Sequence, residues 1–418
     1  MTAADLTPPR IATLDILRGV GVMGILAMNA VAFAMPAPAY YNPAAYGGTD
    51  GIDLVAWTIS FVFVDGKMRG LFSLLFGASL LLITDAAEEK GRSPAATHYS
   101  RTLWLGVFGA LHYYLIWWGD ILLHYALVAL VAYFFRRASL QGLIAATGLM
   151  LLYDLFISIE LSYVGIELGR DAATPGADAA TVELWRTIIG EVAPLLPAEL
   201  AADLALHRGG FLPLAAHRFA EEAWLPFEAL AVIGPETLGL MLLGMAGLRS
   251  GFLTGAWAET AYRRIAFWCL SLGVLGYAAN AAVQIGSRFD PTSVFVSMWG
   301  GTVLFRILMI VGYAALIILL ARNGGALVDR IAAAGRMAFS NYLGTSLLMT
   351  FIFYGWGLGL YGTFGRAALW PLILAVCALM LVWSQAWLKR YRYGPLEWLW
   401  RSLSRGRVQP MLKTTAAD

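Results

Sequence analysis

His112, Asp120 and His124 lie close together along one apolar stretch of the chain. An imidazole, whose unperturbed pKa is about 6.5, can accept and return a proton near neutral pH, and a neighbouring carboxylate can orient it. We therefore predict that these three residues are catalytic. A metal site needs at least a third ligand, and no Cys or His spacing in the sequence supplies one. The pattern thus predicts proton transfer and no bound metal.

Further polar side chains interrupt other apolar stretches. In lipid, each ionisable group must be paired or hydrated, so such residues are candidates for a functional site. At about 1.5 Å per residue from the basic end of their helices, His112, Glu236 and Arg306 reach about 16, 20 and 24 Å. Their similar height predicts a shared site in the outer half of the membrane. The candidate substrate-binding or channel-lining residues are Asp15, Asn29, Asp65, Lys67, Arg69, Glu236, Arg306 and Asn341.

Ion pairing is the competing interpretation of the same charges. Asp120 with Arg306, or Glu236 with Lys67, could form structural pairs that lock helices together within the lipid. A purely structural role needs fewer charges than this sequence places in its apolar stretches. The number of charges therefore favours a functional site.

Polar residues at the opposite end of the predicted helices have structural alternatives too. Asp15 and Arg18 are three residues apart and share a helical face, which predicts a local ion pair. Asn341 could line an inner cavity or bridge two helices. Both interpretations stay open for these residues.

The elements that carry these side chains are helices in a membrane. The chain has 418 residues, of which 59% are hydrophobic and 13% charged, whereas soluble domains carry about 25% charged residues. Segments of about 20 apolar residues span a bilayer as helix. We predict an all-α integral membrane protein with ten such helices in one bundle. They are Asp15–Met35, Met68–Asp85, Tyr99–Trp118, Ile121–Phe135, Gln141–Tyr163, Phe227–Leu248, Ile265–Ile285, Val294–Leu320, Met337–Tyr354 and Ala367–Leu388.

The ten helices divide the chain into four parts. Residues 1–163 and 227–388 form two membrane halves, 164–226 a small external cap of short helices, and 389–418 a basic tail. With the N-terminus inside, nineteen Lys and Arg residues lie in or next to the segments that face the cytoplasm, and six, among them Arg366, lie in segments that face outward. This asymmetry predicts a bacterial inner-membrane protein with both termini cytoplasmic. The amphipathic segment Ile52–Phe63 is predicted to lie along the outer interface or as a re-entrant half-helix.

Several other classes of site are excluded by the sequence. Basic residues form no dense run with interleaved aromatics outside the tail, so no nucleic-acid partner is predicted. Cys269 and Cys377 lie in apolar segments and indicate no disulfide framework. Gly19 to Gly24 match the G-x-G-x-x-G dinucleotide pattern, but they lie inside an apolar helix instead of between a strand and a helix. Close helix packing explains these glycines better.

A set of short motifs runs along nearly the whole chain. It comprises Leu14–Gly19, Gly24, Ile25, Asn29, Asp65–Arg69, Leu71–Gly77, His112, Gly119–Leu122, Tyr125, Ala126, Gly335–Ala338, Asn341–Leu343, Tyr354, Gly355, Gly357–Gly359 and Gly394–Arg401. In these motifs the chain resembles the YeiB-like family of bacterial multi-pass membrane proteins. Small departures are Met68, where a Phe is usual, and Thr345, where the family often has Gln.

The first helix of this family is similar to that of transmembrane acyltransferases. This similarity implies transfer of an acyl group from cytoplasmic acyl-CoA to an envelope lipid or glycan. It also implies that Arg18 and Arg336 bind the CoA phosphates. Many such enzymes carry a catalytic His at the far end of the first helix, where this chain has none. His112 or His124 would replace it, with Asp120 orienting the imidazole.

Two functions of other classes stand beside acyl transfer. A transporter or small-solute channel would use the intramembrane charges as substrate or proton sites. A non-catalytic scaffold or lipid-binding protein would explain the many aromatic residues but leaves those charges without a role. The sequence identifies neither the substrate nor the oligomeric state.

Overall fold

A computed structural model of the chain describes residues 11–413. This part is built of α-helices, and it contains no strand beyond a single antiparallel bridge between Tyr391 and Leu412. The helices are α1 Ala12–Ala34, α2 Gly51–Phe63, α3 Lys67–Glu89, α4 Pro94–Leu111, α5 Leu122–Ala132, α6 Leu140–Ala173, α7 Ala179–Ile189, α8 Pro197–His207, α9 Phe211–Glu221, α10 Leu225–Arg249, α11 Glu259–Gly286, α12 Pro291–Val296, α13 Val303–Ala321, α14 Ala326–Arg336, α15 Ala338–Phe353, α16 Arg366–Arg390 and α17 Pro395–Ser404.

The chain is an all-α membrane protein. Within residues 11–413, seven helical segments are long and apolar enough to cross a bilayer, which takes about 20 residues. They are Ala12–Ala34, Gly51–Glu89, Leu140–Ala173, Leu225–Arg249, Glu259–Gly286, Val303–Ala321 and Arg366–Arg390. Leu122–Phe135 and Ala338–Phe353 are apolar but shorter. The count of ten spans stays a prediction.

Glycines allow the helices to pack closely, as the rejected dinucleotide pattern suggested. A Cβ on Gly19 of α1 would collide with the Ile331 carbonyl of α14, and one on Gly335 would collide with the Asp15 carbonyl. Without aqueous solvent to drive apolar association, such backbone approach is a main source of helix contact in membranes. The glycines of α1 therefore serve packing.

The two ends of the bundle differ. Helices α7 to α9 cover one end, which we name the cap end. Helices α14 and α17 lie at the other end, which we name the tail end. Helices α4 and α5 are joined at the cap end by a tight turn through Trp118-Gly119-Asp120, which lies where the predicted spans Tyr99–Trp118 and Ile121–Phe135 meet.

Two predicted spans differ from the structure in length or continuity. The predicted fifth span continues as helix to Ala173, because the first proline after Tyr163 is Pro175, in the turn sequence Thr174-Pro175-Gly176. The predicted span Val294–Leu320 divides at a π-helical turn, Ser297–Gly301. There the Asn280 amide donates a 2.9 Å hydrogen bond to the Gly301 carbonyl, which satisfies backbone released by the break.

Helix α2 packs one face against α11 and α16. It buries Trp57 and Phe61 and leaves Ile52 and Ile59 exposed, so both faces are largely apolar. Its place along the outer interface or as a re-entrant half-helix stays a prediction. A turn at Asp65-Gly66 connects α2 directly to α3. Gly66 has φ of 70°, a conformation that favours glycine, and its backbone packs against the Arg306 side chain.

Candidate functional site

A buried histidine–aspartate pair lies at the cap end. His112 begins a π-helical turn, His112–Ile116, that continues α4, and Asp120 lies in the turn before α5. The His112 Nδ1 atom is 2.7 Å from Asp120 Oδ2, and both side chains are buried. The Leu123 amide donates to Asp120 Oδ1 at 2.8 Å, so the carboxylate also caps the N-terminus of α5 and cannot rotate freely.

The other ring nitrogen of His112 is unused. Its Nε2 atom is buried and makes no hydrogen bond to any residue in 11–413. With Nδ1 donating to the carboxylate, Nε2 holds the lone pair that can accept a proton. The rings of Trp117 and Tyr342 flank the imidazole at centroid distances of 6.2 and 5.4 Å. An imidazole held in this way has one ring nitrogen fixed by a carboxylate and the other open to accept a hydrogen bond.

Three further predicted residues meet in a second group, which we name the charge cluster: Arg69, Glu236 and Arg306. Arg69 Nη2 of α3 lies 2.5 Å from Glu236 Oε2 of α10, and Arg306 Nε of α13 lies 2.6 Å from Glu236 Oε1. One buried carboxylate thus joins two guanidinium groups from different helices. The cluster brings together three spans that are far apart in sequence.

The ion pairs considered from the sequence are different in the structure. Asp120 pairs with His112 instead of Arg306, and Glu236 pairs with two arginines instead of Lys67. Lys67 is fully buried, with its ammonium 3.1 Å from the centre of the Tyr277 ring. It also donates a 2.5 Å hydrogen bond to the Phe61 carbonyl.

His124 does not join His112. Its Nε2 atom lies 2.9 Å from the Thr237 hydroxyl, and its ring interacts electrostatically with Arg69 and Glu236. His112 therefore pairs with Asp120, whereas His124 lies with the charge cluster. No set of three His, Cys, Asp or Glu side chains within residues 11–413 is placed to hold a metal ion.

Asp154 interacts with the charge cluster but was not among the residues predicted from the sequence. It lies in α6, is buried, and interacts electrostatically with Glu236 and Arg306. Its Oδ2 atom makes no hydrogen bond to the described part of the chain. An acidic residue midway along a predicted span was a sufficient signal, since the rule for intramembrane charges applied to it as well.

A cavity of about 120 Å³ adjoins the charge cluster. We name it the arginine cavity, because Arg69, Arg306 and Arg366 line its wall, and Asp65 is the acidic residue that lines it. Arg366 begins α16 and was predicted to lie in an outer loop. Its guanidinium donates to the carbonyls of Ala39 and Tyr46. Only the fold brings this arginine beside the other two.

The remaining predicted residues lie elsewhere in the bundle. Asp15 and Arg18 form the predicted ion pair at 3.1 Å, and Arg18 also donates to Ser79 at 2.5 Å. Asn29 is buried on α1, four residues before Phe33, whose ring stacks on Trp117. Arg336 ends α14 at the tail end.

Asn341 bridges helices at the tail end. Its amide nitrogen donates to the Ala334 carbonyl at 3.0 Å and to the Ser384 hydroxyl at 3.1 Å. Its oxygen accepts from Trp383 at 2.8 Å. These bonds join α14, α15 and α16, which is the helix-bridging alternative considered for this residue.

Known proteins are similar to this chain in sequence over nearly its whole length. The family model described as "Protein of unknown function (DUF418)" matches residues 248–407. The "Uncharacterized protein YeiB" of Escherichia coli (strain K12) is 33% identical over 412 residues, covering 97% of this chain and 98% of the relative. The chain belongs to the YeiB-like family.

Other YeiB-like proteins match at the same extent. The "Uncharacterized protein YxaH" of Bacillus subtilis (strain 168) is 28% identical and covers 98% of both chains. The "Uncharacterized 39.9 kDa protein in amylase 3'region" of Bacillus acidopullulyticus is 27% identical over 98% of both. No solved structure matches the chain significantly.

Proposed function

We propose that this protein transfers an acyl group from cytoplasmic acyl-CoA to a hydroxyl of an envelope lipid or glycan. The protein would lie in the bacterial inner membrane with both termini in the cytoplasm. The observation that carries the proposal is the buried His112–Asp120 pair with an unused Nε2 atom. An oriented imidazole in a water-poor site is the group that acyl transfer to an alcohol requires.

The proposed reaction is a single displacement of thiolate by alkoxide. His112 Nε2 accepts the proton of the acceptor hydroxyl as its oxygen attacks the thioester carbonyl carbon. The new C–O bond forms, the C–S bond breaks, and the sulfur leaves as thiolate. The imidazolium returns its proton to the thiolate, which gives an ester and free CoA. Asp120 holds the required tautomer and stabilises the imidazolium.

Basic residues at the tail end support binding of the CoA phosphates. Arg101 interacts electrostatically with Arg18, Arg401 and Arg405, and its guanidinium lies 4.1 Å from the centre of the Trp400 ring. Arginines recognise phosphate through paired N–H donors, and an aromatic ring beside them can stack on a base. We include Arg18 and Arg336 in this donor site.

CoA release from labelled acyl-CoA by the purified protein, with envelope lipids as acceptor, tests the proposal. His112→Gln and Asp120→Asn should each lower the rate by about 100-fold or more. His98→Gln is the matched control, because His98 is also a buried residue of α4 but bonds the Ala129 carbonyl near the tail end. Full activity of the His112 variant, or equal loss in the His98 variant, would remove the proposed base.

Transport of an anionic solute is the second candidate. The observation that favours it is the arginine cavity beside the charge cluster. Intramembrane charges that line a cavity often form part of a solute pathway. Solute flux into proteoliposomes that depends on Arg306 and persists without acyl-CoA would support transport over transfer.

A further inference from the structure

The wall of the arginine cavity has more positive than negative groups. Three guanidinium groups, from α3, α13 and α16, face one wall carboxylate, that of Asp65. Arginine offers five N–H donors in a planar fork, which suits the oxygens of a phosphate. The wall itself therefore suits an anion, while Glu236 beside Arg69 and Arg306 and Asp53 beside Arg366 offset part of the positive charge.

Two of these arginines have donors to spare. Arg69 Nη1 and Arg366 Nε are buried, and neither makes a hydrogen bond within residues 11–413. A buried unsatisfied donor is costly, particularly on a charged group. Because both atoms belong to side chains that line the cavity, a bound anion would supply the missing acceptors.

An apolar slot continues from the cavity. It shares Trp57, Ser60 and Arg366 with the cavity wall and extends between α2 and α16 past Leu369 and Ile373. Its open volume is about 10 Å³, so it is narrow. The slot as it stands has room for about one water molecule, so an alkyl chain would enter it by displacing side chains of α2 and α16. A polar cavity beside this apolar slot suits a molecule with an anionic head and an alkyl chain.

We propose that the arginine cavity binds the phosphate headgroup of an anionic lipid, with an acyl chain in the slot between α2 and α16. Arg69, Arg306 and Arg366 contact the phosphate oxygens. The Tyr40 and Tyr41 side chains complete the wall around the headgroup. This binding goes beyond acyl transfer, because it needs neither His112 nor a CoA donor.

The acidic neighbours define the sign of each test. Glu236 is engaged by both Arg69 and Arg306, and Asp154 interacts electrostatically with Glu236. Neither of these two acids lines the cavity. Asp65 lines the wall itself, so its carboxylate repels the phosphate. Asp65→Asn should consequently tighten lipid binding, whereas a purely structural site gives no such gain.

Titration of delipidated protein in neutral detergent tests the proposal, with the rise in thermal unfolding midpoint as the measure of binding. The probes are dihexanoyl phosphatidylglycerol, dihexanoyl phosphatidylcholine and inorganic phosphate. Phosphatidylglycerol should stabilise at the lowest concentration. Arg306→Lys keeps a charge beside Glu236 but loses the planar fork, and should weaken binding by about fivefold or more. Asp65→Asn should strengthen it by about threefold.

Arg186→Gln is the matched control, because Arg186 is an exposed arginine of α7 in the cap; it should leave phosphatidylglycerol binding unchanged. Equal stabilisation by inorganic phosphate would assign the site to a free anion and overturn the lipid. Equal stabilisation by phosphatidylcholine, or no response of binding to Arg306→Lys and Asp65→Asn, would overturn the anionic headgroup. These outcomes are read without any acyl donor, so they are separate from a failure of acyl transfer.

Discussion

Glu236 Oε1 of α10 accepts a 2.6 Å hydrogen bond from Arg306 Nε of α13, and the Glu236 side chain is buried, with 1% of its surface exposed. Arg69 of α3 approaches the other oxygen at 2.5 Å. A single carboxylate therefore neutralises two arginines that would otherwise repel each other inside the bundle. Three helices depend on it.

Removing that carboxylate should destabilise the fold strongly. We expect Glu236→Gln to lower the free energy of unfolding by about 3–5 kcal/mol, because it leaves two largely buried guanidinium groups without their counter-ion. Glu259→Gln is the control, since Glu259 pairs with Arg263 on the surface and should cost about 1 kcal/mol or less. Denaturant unfolding in detergent measures both, and equal losses would contradict the account.

Glycine packing predicts opposite effects for two alanine substitutions. A Cβ at Gly244 of α10 would collide with the Leu74 carbonyl of α3, whereas one at Gly344 of α15 would meet no atom within 4 Å. We expect Gly244→Ala to lower the unfolding midpoint. Gly344→Ala should raise stability by about 0.5–1 kcal/mol, because alanine loses less backbone freedom in a helix. A gain in the Gly244 variant would show that α3 and α10 can separate without cost.

Glu397 of α17 caps α15 and predicts a dependence of stability on pH. It accepts hydrogen bonds from the Phe339 and Ser340 amides at 2.8 and 3.0 Å. Burial raises the pKa of Glu397 above its ordinary 4.5, although these hydrogen bonds oppose the shift. Folding thus favours the neutral form of Glu397. The contribution of Glu397 to stability is complete below about pH 4.5 and is lost as pH rises through the raised pKa.

The difference between wild type and Glu397→Gln isolates this group. The wild-type unfolding midpoint should fall more steeply than that of the variant as pH rises above about 4.5, since the glutamine does not ionise. Thermal unfolding measured at about every half pH unit from about pH 4 to 8 provides the two slopes. Parallel slopes would mean that Glu397 titrates alike in the folded and unfolded chain.

The arrangement of basic residues predicts the orientation in the membrane. A reporter that is fluorescent only in the cytoplasm should be active when fused after Asp418, and alkaline phosphatase, which needs the outer compartment, should be active when inserted after Asp178 in the cap. Two inactive reporters would mean that the bundle is inverted. Activity of only one reporter would place both positions on the same side and show that the number of spans between them is even.

The sequence alone determined that this is a membrane protein made of helices, because a deficit of charge and long apolar stretches leave few other solutions. It also determined the Asp15–Arg18 pair, since three residues along a helix place both side chains on one face. The His112–Asp120 pair is also nearly local, because a tight turn between neighbouring helices brings these two residues together.

The other contacts needed the fold. Arg69, Glu236 and Arg306 come from helices whose packing no local spacing specifies, so their pairing could not be told from the pairings with Lys67 or Asp120. Arg366 was assigned to a loop by its position between apolar segments. It joins the cavity only because α16 packs against α2, and that contact depends on side-chain shape across the whole bundle.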